Sequence, residues 1–227
     1  MCSSDLAQRL VDVAPTVEAK ALVNHYMLTF VIRREQVRAV EFESMPHRHV
    51  RSGLPGLQGV PGTAAIEQAD TGRLRALLDG FLGDLPNLRA DYYFEGVLVL
   101  ATDLVAALDD AEAAGALAER LLPCSGRFVM FAHTTPLGWV DTALSTLLRV
   151  HGDVERAVAL AEQARLADDA RWHGLWGGWA RAAEAAARRR RDAPGDVALA
   201  ARLERAARTT ARRTGSRRLD AAVRRRP

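Results

Sequence analysis

The chain has 227 residues, 48% apolar and 26% charged, enough to bury a core as one domain or two small ones. Two cysteines, Cys2 and Cys124, exclude a disulfide framework and a four-ligand zinc site, and no apolar run reaches the ~20 residues of a membrane span. The net charge of +3 hides an asymmetry: residues 181–227 carry 15 arginines against 5 acids, whereas the first 180 residues are net −7. Alanine is abundant and aromatics make up only 6%, which favours helices in close contact over sheets. Every basic residue except Lys20 is arginine, a bias that GC-rich codons produce, so arginine runs are discounted before being read as function. No charged-then-apolar segment marks a signal peptide, and a reduced, partly buried Cys124 fits a cytoplasmic protein.

Met1-Cys2-Ser3-Ser4-Asp5-Leu6 is what the sequencing adapter GTG TGC TCT TCC GAT CT encodes when its GTG is taken as the start. Residues 1–6 are therefore expected to be a non-native leader on an N-terminally truncated fragment, which the genomic sequence across the junction would test. Residues 7–58 are expected to form one or more N-terminal helical hairpins, and residues 59–227 a set of helical repeats ending in a basic helix. His47-Arg48-His49 offers two imidazoles. At i and i+2 they point to different sides of a helix, so a solvated surface is expected rather than a metal site.

From residue 97 onward apolar residues recur at i, i+3, i+4 and i+7, one face of an amphipathic helix. The stripes are Val97, Leu100, Leu104 and Leu108; Ala114, Leu117, Ala118 and Leu121; Val140, Ala143, Leu144 and Leu147; and Val154, Ala157, Val158 and Ala161. No sustained alternation of apolar and polar residues occurs, so no sheet is expected. Phe131 to Thr135, with His133, is expected to be a loop that leads into a helix starting near Pro136, capped by Thr134 or Thr135.

The breaks between stripes repeat. Asp109-Asp110 precedes Ala114, Gly152-Asp153 precedes Ala157, and Gly195-Asp196 precedes Ala200, each signal starting 43 residues after the last. A weaker version, Asp70-Thr71-Gly72-Arg73, lies upstream. Glycine supplies the left-handed residue that ends a helix, aspartate caps the next one, and alanine lets the two helices approach closely. Gly-Asp-x-x-x-Ala resembles the inter-helix turn of the tetratricopeptide repeat. Trp172-x-x-Leu175-Trp176-x-x-Trp179 resembles the start of that repeat's first helix. The spacing exceeds the usual ~34 residues, Arg188 to Arg191 lengthens one hairpin, and the closing proline is missing.

Across roughly residues 30–220 the segment order is also similar to the C-terminal helical region of large bacterial signalling ATPases. The match centres on Ala111 to Arg127, followed by Pro136 to Leu166 with Val150-His151-Gly152 at the turn. Such proteins join an ATPase to a LuxR-type DNA-binding domain or a nucleotide cyclase. The resemblance implies an all-α, tetratricopeptide-like solenoid of four to five helical hairpins, a bacterial regulatory scaffold whose ATPase and output domains lie outside this chain. Its expected partners are a protein, a peptide, an effector, or other domains of the same regulator; no membrane partner is implied.

Residues for catalysis or a cofactor do not assemble in the sequence. There is no Gly-x-x-x-x-Gly-Lys-Ser/Thr loop, Lys20 has no glycine-rich approach, and Gly-x-Ser-x-Gly is absent. Asp109-Asp110 and Asp168-Asp169 are paired carboxylates at expected helix ends, where capping explains them. Trp172, Trp176 and Trp179 are expected to be core, with a ligand-stacking box as the alternative, and Gly177-Gly178 to admit another helix closely. The expectation is a non-enzymatic binding scaffold without catalytic residue, cofactor or metal. The alternative is a nucleic-acid-binding module using the basic C-terminal region.

Overall fold

The computed structural model describes residues 15–44, 58–88, 93–131, 134–171 and 174–224, with side-chain surroundings from residue 25. The leader at residues 1–6, His47 to His49, His133 and Trp172 lie outside the described residues.

Eleven α-helices make up most of what is described. They are α1 (Pro15–Glu35), α2 (Ala39–Ser44), α3 (Gly59–Glu67), α4 (Thr71–Asp84), α5 (Phe94–Leu108), α6 (Ala111–Leu121), α7 (Val140–His151), α8 (Val154–Asp169), α9 (Leu175–Arg191), α10 (Asp196–Thr214) and α11 (Arg217–Arg224). Helices α3/α4, α5/α6, α7/α8 and α9/α10 pack as consecutive pairs. The first helix of each pair also touches the first helix of the next, and the second helix packs against that same neighbour. Helix α11 takes the place of a fifth first helix against α9 and α10, and α1 returns to contact α11.

Local chemistry explains the turns. The Asp70 carboxylate accepts from the Arg73 backbone N–H at 3.0 Å, Asp110 from that of Ala113 at 3.0 Å, and Asp153 from that of Arg156 at 3.3 Å. Each satisfies a donor that the helix start leaves free. The left-handed residue that ends α5 is Asp109 (φ 51°) and the one that ends α7 is Gly152 (φ 108°). Ala114, Ala157 and Ala200, near the starts of α6, α8 and α10, are all fully buried.

The third turn differs from expectation. Helix α9 ends at Asp192 (φ 55°), and Gly195 (φ 86°) stands at the start of α10. Asp196 is not a cap for α10. It folds back to accept from the Ala193 backbone N–H at 3.0 Å and from Arg188 and Arg191. Helix-ending residues are therefore 43 residues apart from Asp109 to Gly152 but 40 apart from Gly152 to Asp192. The first interval is lengthened by a β-hairpin and the second by longer helices.

That hairpin corrects the expectation of no sheet. Strands β1 (Phe128–Phe131) and β2 (Thr135–Trp139) pair antiparallel, with an irregularity between Val129 and Met130. Pro136 lies in β2, so α7 starts at Val140, and neither Thr134 nor Thr135 caps it. Apolar residues drive the local choice: Val129, Phe131, Leu137 and Trp139 are buried between α5, α7 and α9.

One large apolar core runs from Tyr26 on α1 to Ala187 on α9, with a smaller one where α10 meets α11. Two glycine pairs set the closest approaches. A Cβ at Gly59 would lie 2.6 Å from the Leu100 side chain, and one at Gly62 2.6 Å from that of Leu104, so α3 lies directly on α5. At Gly178 a Cβ would meet both Thr210 and Leu219 at 2.7 Å, and the expected close approach beside the tryptophans is present. No helix among the described residues is long and apolar enough to cross a membrane.

Candidate functional site

The inner sides of α3, α5, α7, α9 and α11 surround a cleft of about 480 Å³, closed partly by the end of α1 and by β2. Its walls are mainly small residues of α5 and α9, including Ala106, Ala107, Ala182, Ala183 and Ala186, together with Trp139, Trp176 and Trp179. Small side chains on adjacent helices leave room where larger ones would fill the groove.

The tryptophans did not all go where core packing would send them. Trp139 is buried and donates its indole N–H to Asp168 at 3.2 Å. Trp176 and Trp179 are half-buried: each packs against the apolar core on one side and stands in the cleft wall on the other. Trp176 leans on Gly138, where a Cβ would lie 2.8 Å from its ring. Trp179 donates its indole N–H to Glu35 at 3.2 Å and carries the Arg218 guanidinium over its ring at 4.4 Å. Leu175, at the start of α9, packs toward α10 and α11.

A charge cluster ties the end of α1 into this cleft. Asp103 on α5 accepts from Arg34 of α1 and, at 2.7 Å, from Arg218 of α11. Glu35 accepts from Ser216 at 2.5 Å and from Arg218 at 3.3 Å as well as from Trp179. Burial alone would raise the Asp103 carboxyl, but the Arg218 and Arg34 guanidinium groups outweigh it and hold the group below its ordinary value. Burial and the nearby Arg218 lower Arg34.

Arg149 differs from these. It lies half-buried on the cleft side of α7, and no acceptor among the described residues reaches its guanidinium within hydrogen-bond or ion-pair distance. Burial lowers its proton affinity, the Asp109 carboxylate partly offsets this, and Arg190 lowers it further. Thr142, one face with Arg149, has a buried hydroxyl without a partner. The sequence offered no signal for Arg149, because Thr142, Thr146 and Arg149 fall outside the apolar stripe of α7 and resemble an ordinary solvated face.

The carboxylate pairs are structural. Asp109 ends α5; Asp110 caps α6 and accepts from Arg75 at 2.5 Å, its carboxyl lowered first by the Ala113 N–H and then by Arg75. Asp168 is buried beneath Trp139, and Asp169 pairs with Arg181 and, at 3.4 Å, Arg165; neither caps a helix start. Cys124 is a free, buried thiol raised by burial and by Glu95. Among the described residues no group of three or more His, Cys, Asp or Glu is placed to hold a metal ion.

The run Arg188 to Arg191 forms the last turn of α9, and three of its four arginines are paired among the described residues. Arg188 donates to the fully buried Glu184 at 2.8 Å, to Asp196 at 3.2 Å and to Glu162 at 3.2 Å. Arg189 binds Glu204 at 2.5 and 3.0 Å, and Arg191 binds Asp196 at 2.7 and 2.8 Å and Glu155 at 3.1 Å. Arg165 reaches Glu184 from α8 at 2.7 Å. Comparison with family models, with curated proteins and with solved structures finds no match to the chain.

Proposed function

We propose that the chain is a non-catalytic, tetratricopeptide-like binding scaffold, the sensor segment of a bacterial signalling or transcriptional regulator. Its helix pairs form a right-handed solenoid with the first helices on the concave side. The observation that carries this reading is the cleft. Five helices that are first members of pairs, or stand in that position, turn small apolar residues and half-buried tryptophans toward one concavity of ligand size. Of the paired carboxylates, Asp109 ends a helix, Asp110 caps one, Asp168 accepts from Trp139 and Asp169 pairs with arginines, roles that belong to the helix packing. A ligand or partner seated there would bridge α5, α7, α9 and α11 and so bias how the pairs stack. Saturation-transfer NMR with a library of fragments and short peptides tests the reading. Hits on the wild type should vanish in Ala183→Phe, which fills the cleft; hits that persist unchanged would contradict it.

A second reading, nucleic-acid binding, is supported by Arg202, Arg205 and Arg212 on α10 and Arg217 on α11. All four are exposed and make no ion pair among the described residues. A steep loss of DNA affinity with rising salt, abolished by replacing these four, would favour it.

A further inference from the structure

The cleft has two chemically different ends. Trp139 and Trp176 cluster where α7 and α9 begin, beside Gly138. Arg149 stands near the far end of α7, close enough to feel Asp109 at the end of α5 and Arg190 in the last turn of α9. The rise from Trp139 to Arg149 along α7 is about 15 Å, and helical side chains lean back toward the helix start, which shortens the gap that a ligand would fill.

Other arginines at the cleft have carboxylate partners. Arg34 and Arg218 share Asp103, and Arg218 also reaches Glu35. Arg149 is a partly desolvated cation with a second cation, Arg190, nearby and no acceptor in reach among the described residues. A guanidinium so placed gains most from a planar anion that it can grip through two N–H groups. The end of α1, bound to α5, α9 and α11, crosses the inner side of the groove and stands in the way of an extended peptide. A volume of about 480 Å³ lies within the range of small-ligand pockets.

We propose that the cleft binds a small organic anion, a carboxylate on an aromatic, apolar body of two or three rings, with Arg149 gripping the anionic group and Trp176 walling the rings. This rests on the reading that the cleft is the binding site. Ligand arrival would give Arg149 a directly hydrogen-bonded anion, where the protein supplies only the more distant Asp109 carboxylate, so occupancy and anionic charge are linked.

The probes are 8-anilinonaphthalene-1-sulfonate, whose sulfonate stands in for the carboxylate, and uncharged N-phenyl-1-naphthylamine, which has the same ring body. The wild type should bind the sulfonate at one saturable site, with energy transfer from tryptophan, and the neutral probe at least about tenfold more weakly, a gap of about 1.4 kcal/mol. Arg149→Gln should erase that difference by weakening the sulfonate alone, and Arg149→Lys should restore part of it. Ala183→Phe should remove both probes. Equal affinity of the wild type for both probes would overturn the proposal without need of any variant, as would unchanged sulfonate binding by Arg149→Gln. If Ala183→Phe still abolished binding in those cases, the cleft would remain the site and only the anion assignment would fall. Binding of both probes unaffected by Ala183→Phe, or of neither to the wild type, would overturn both.

Discussion

Two regions of this molecule use arginine in opposite ways. Where α8, α9 and α10 meet, Arg165, Arg188, Arg189 and Arg191 are matched to Glu155, Glu162, Glu184, Asp196 and Glu204, and Glu184 is fully buried between two of them. In the cleft Arg34 and Arg218 are matched to Asp103 and Glu35, but Arg149 is left without a partner in reach. Pairing fixes how helices sit on one another; an unmatched cation in a concave, apolar place reserves an interaction for something else. The same residue type is fabric or site according to what surrounds it, not according to how densely it occurs along the chain.

The largest break should come at the paired region. Glu184→Ala takes from Arg165 and Arg188 their shared, fully buried acceptor, leaving them only the more exposed Glu162 and Asp169 and the already shared Asp196, and should destabilise the fold by about 3–5 kcal/mol, measured by urea unfolding. A loss under ~1 kcal/mol would mean that the arginines find other partners and that the network is not structural. In the cleft, Asp103→Asn removes the negative charge, and one of the two acceptor oxygens, that Arg34 and Arg218 share; with the Arg34 side chain only 5% exposed this should cost roughly 3 kcal/mol, somewhat less than at Glu184 because Asp103 is 19% exposed. Loss of α1 contacts should accompany it, seen as faster amide exchange across residues 25–35.

Acid should dissolve both paired regions. Asp103, Asp110 and Asp196 are all held below the ordinary carboxylate range, Asp103 against burial by Arg218 and Arg34, and Asp196 chiefly by Arg191. The unfolded chain therefore takes up protons first, near pH 4. The stability that these groups contribute is fully present above that point and is lost as pH falls through their lower folded values. Urea midpoints followed from pH 7 to 2 should fall more steeply for the wild type than for Asp103→Asn. Parallel curves would remove Asp103 from the account. The smallest effect should be at Arg149: Arg149→Gln should leave stability within about 0.5 kcal/mol or raise it, since no partner is lost. A drop above 1 kcal/mol would make Arg149 part of the fabric after all.

Much of the fold was legible because it is local. Asp70, Asp110 and Asp153 cap helices through backbone groups three residues away, and Ala114, Ala157 and Ala200 are buried near the starts of α6, α8 and α10. The hairpin was not legible, because strands of four and five residues broken by Pro136 and Gly138 give too little alternation to stand out. The equal 43-residue spacing misled at its second interval: Gly195 resembles a helix-ending glycine, but the chain turns at Asp192, where an aspartate takes the left-handed conformation. The candidate site was legible only at Trp176 and Trp179. Arg34, Asp103 and Arg218 meet across 69 and 115 residues of chain, a distance over which no spacing rule operates, and Trp139 enters the cleft through the unforeseen hairpin.

If the cleft is a ligand site with Trp176 in its wall and Arg149 as its charged end, the tryptophan indole N–H signals in two-dimensional NMR should report it while 8-anilinonaphthalene-1-sulfonate is added, with assignments from single Trp→Phe variants. The Trp176 signal should move most and saturate at one equivalent, and the same titration of Arg149→Gln should move it only at about tenfold higher probe. A Trp176 signal that stays still while the probe binds, or one that moves identically in Arg149→Gln, would contradict this assignment.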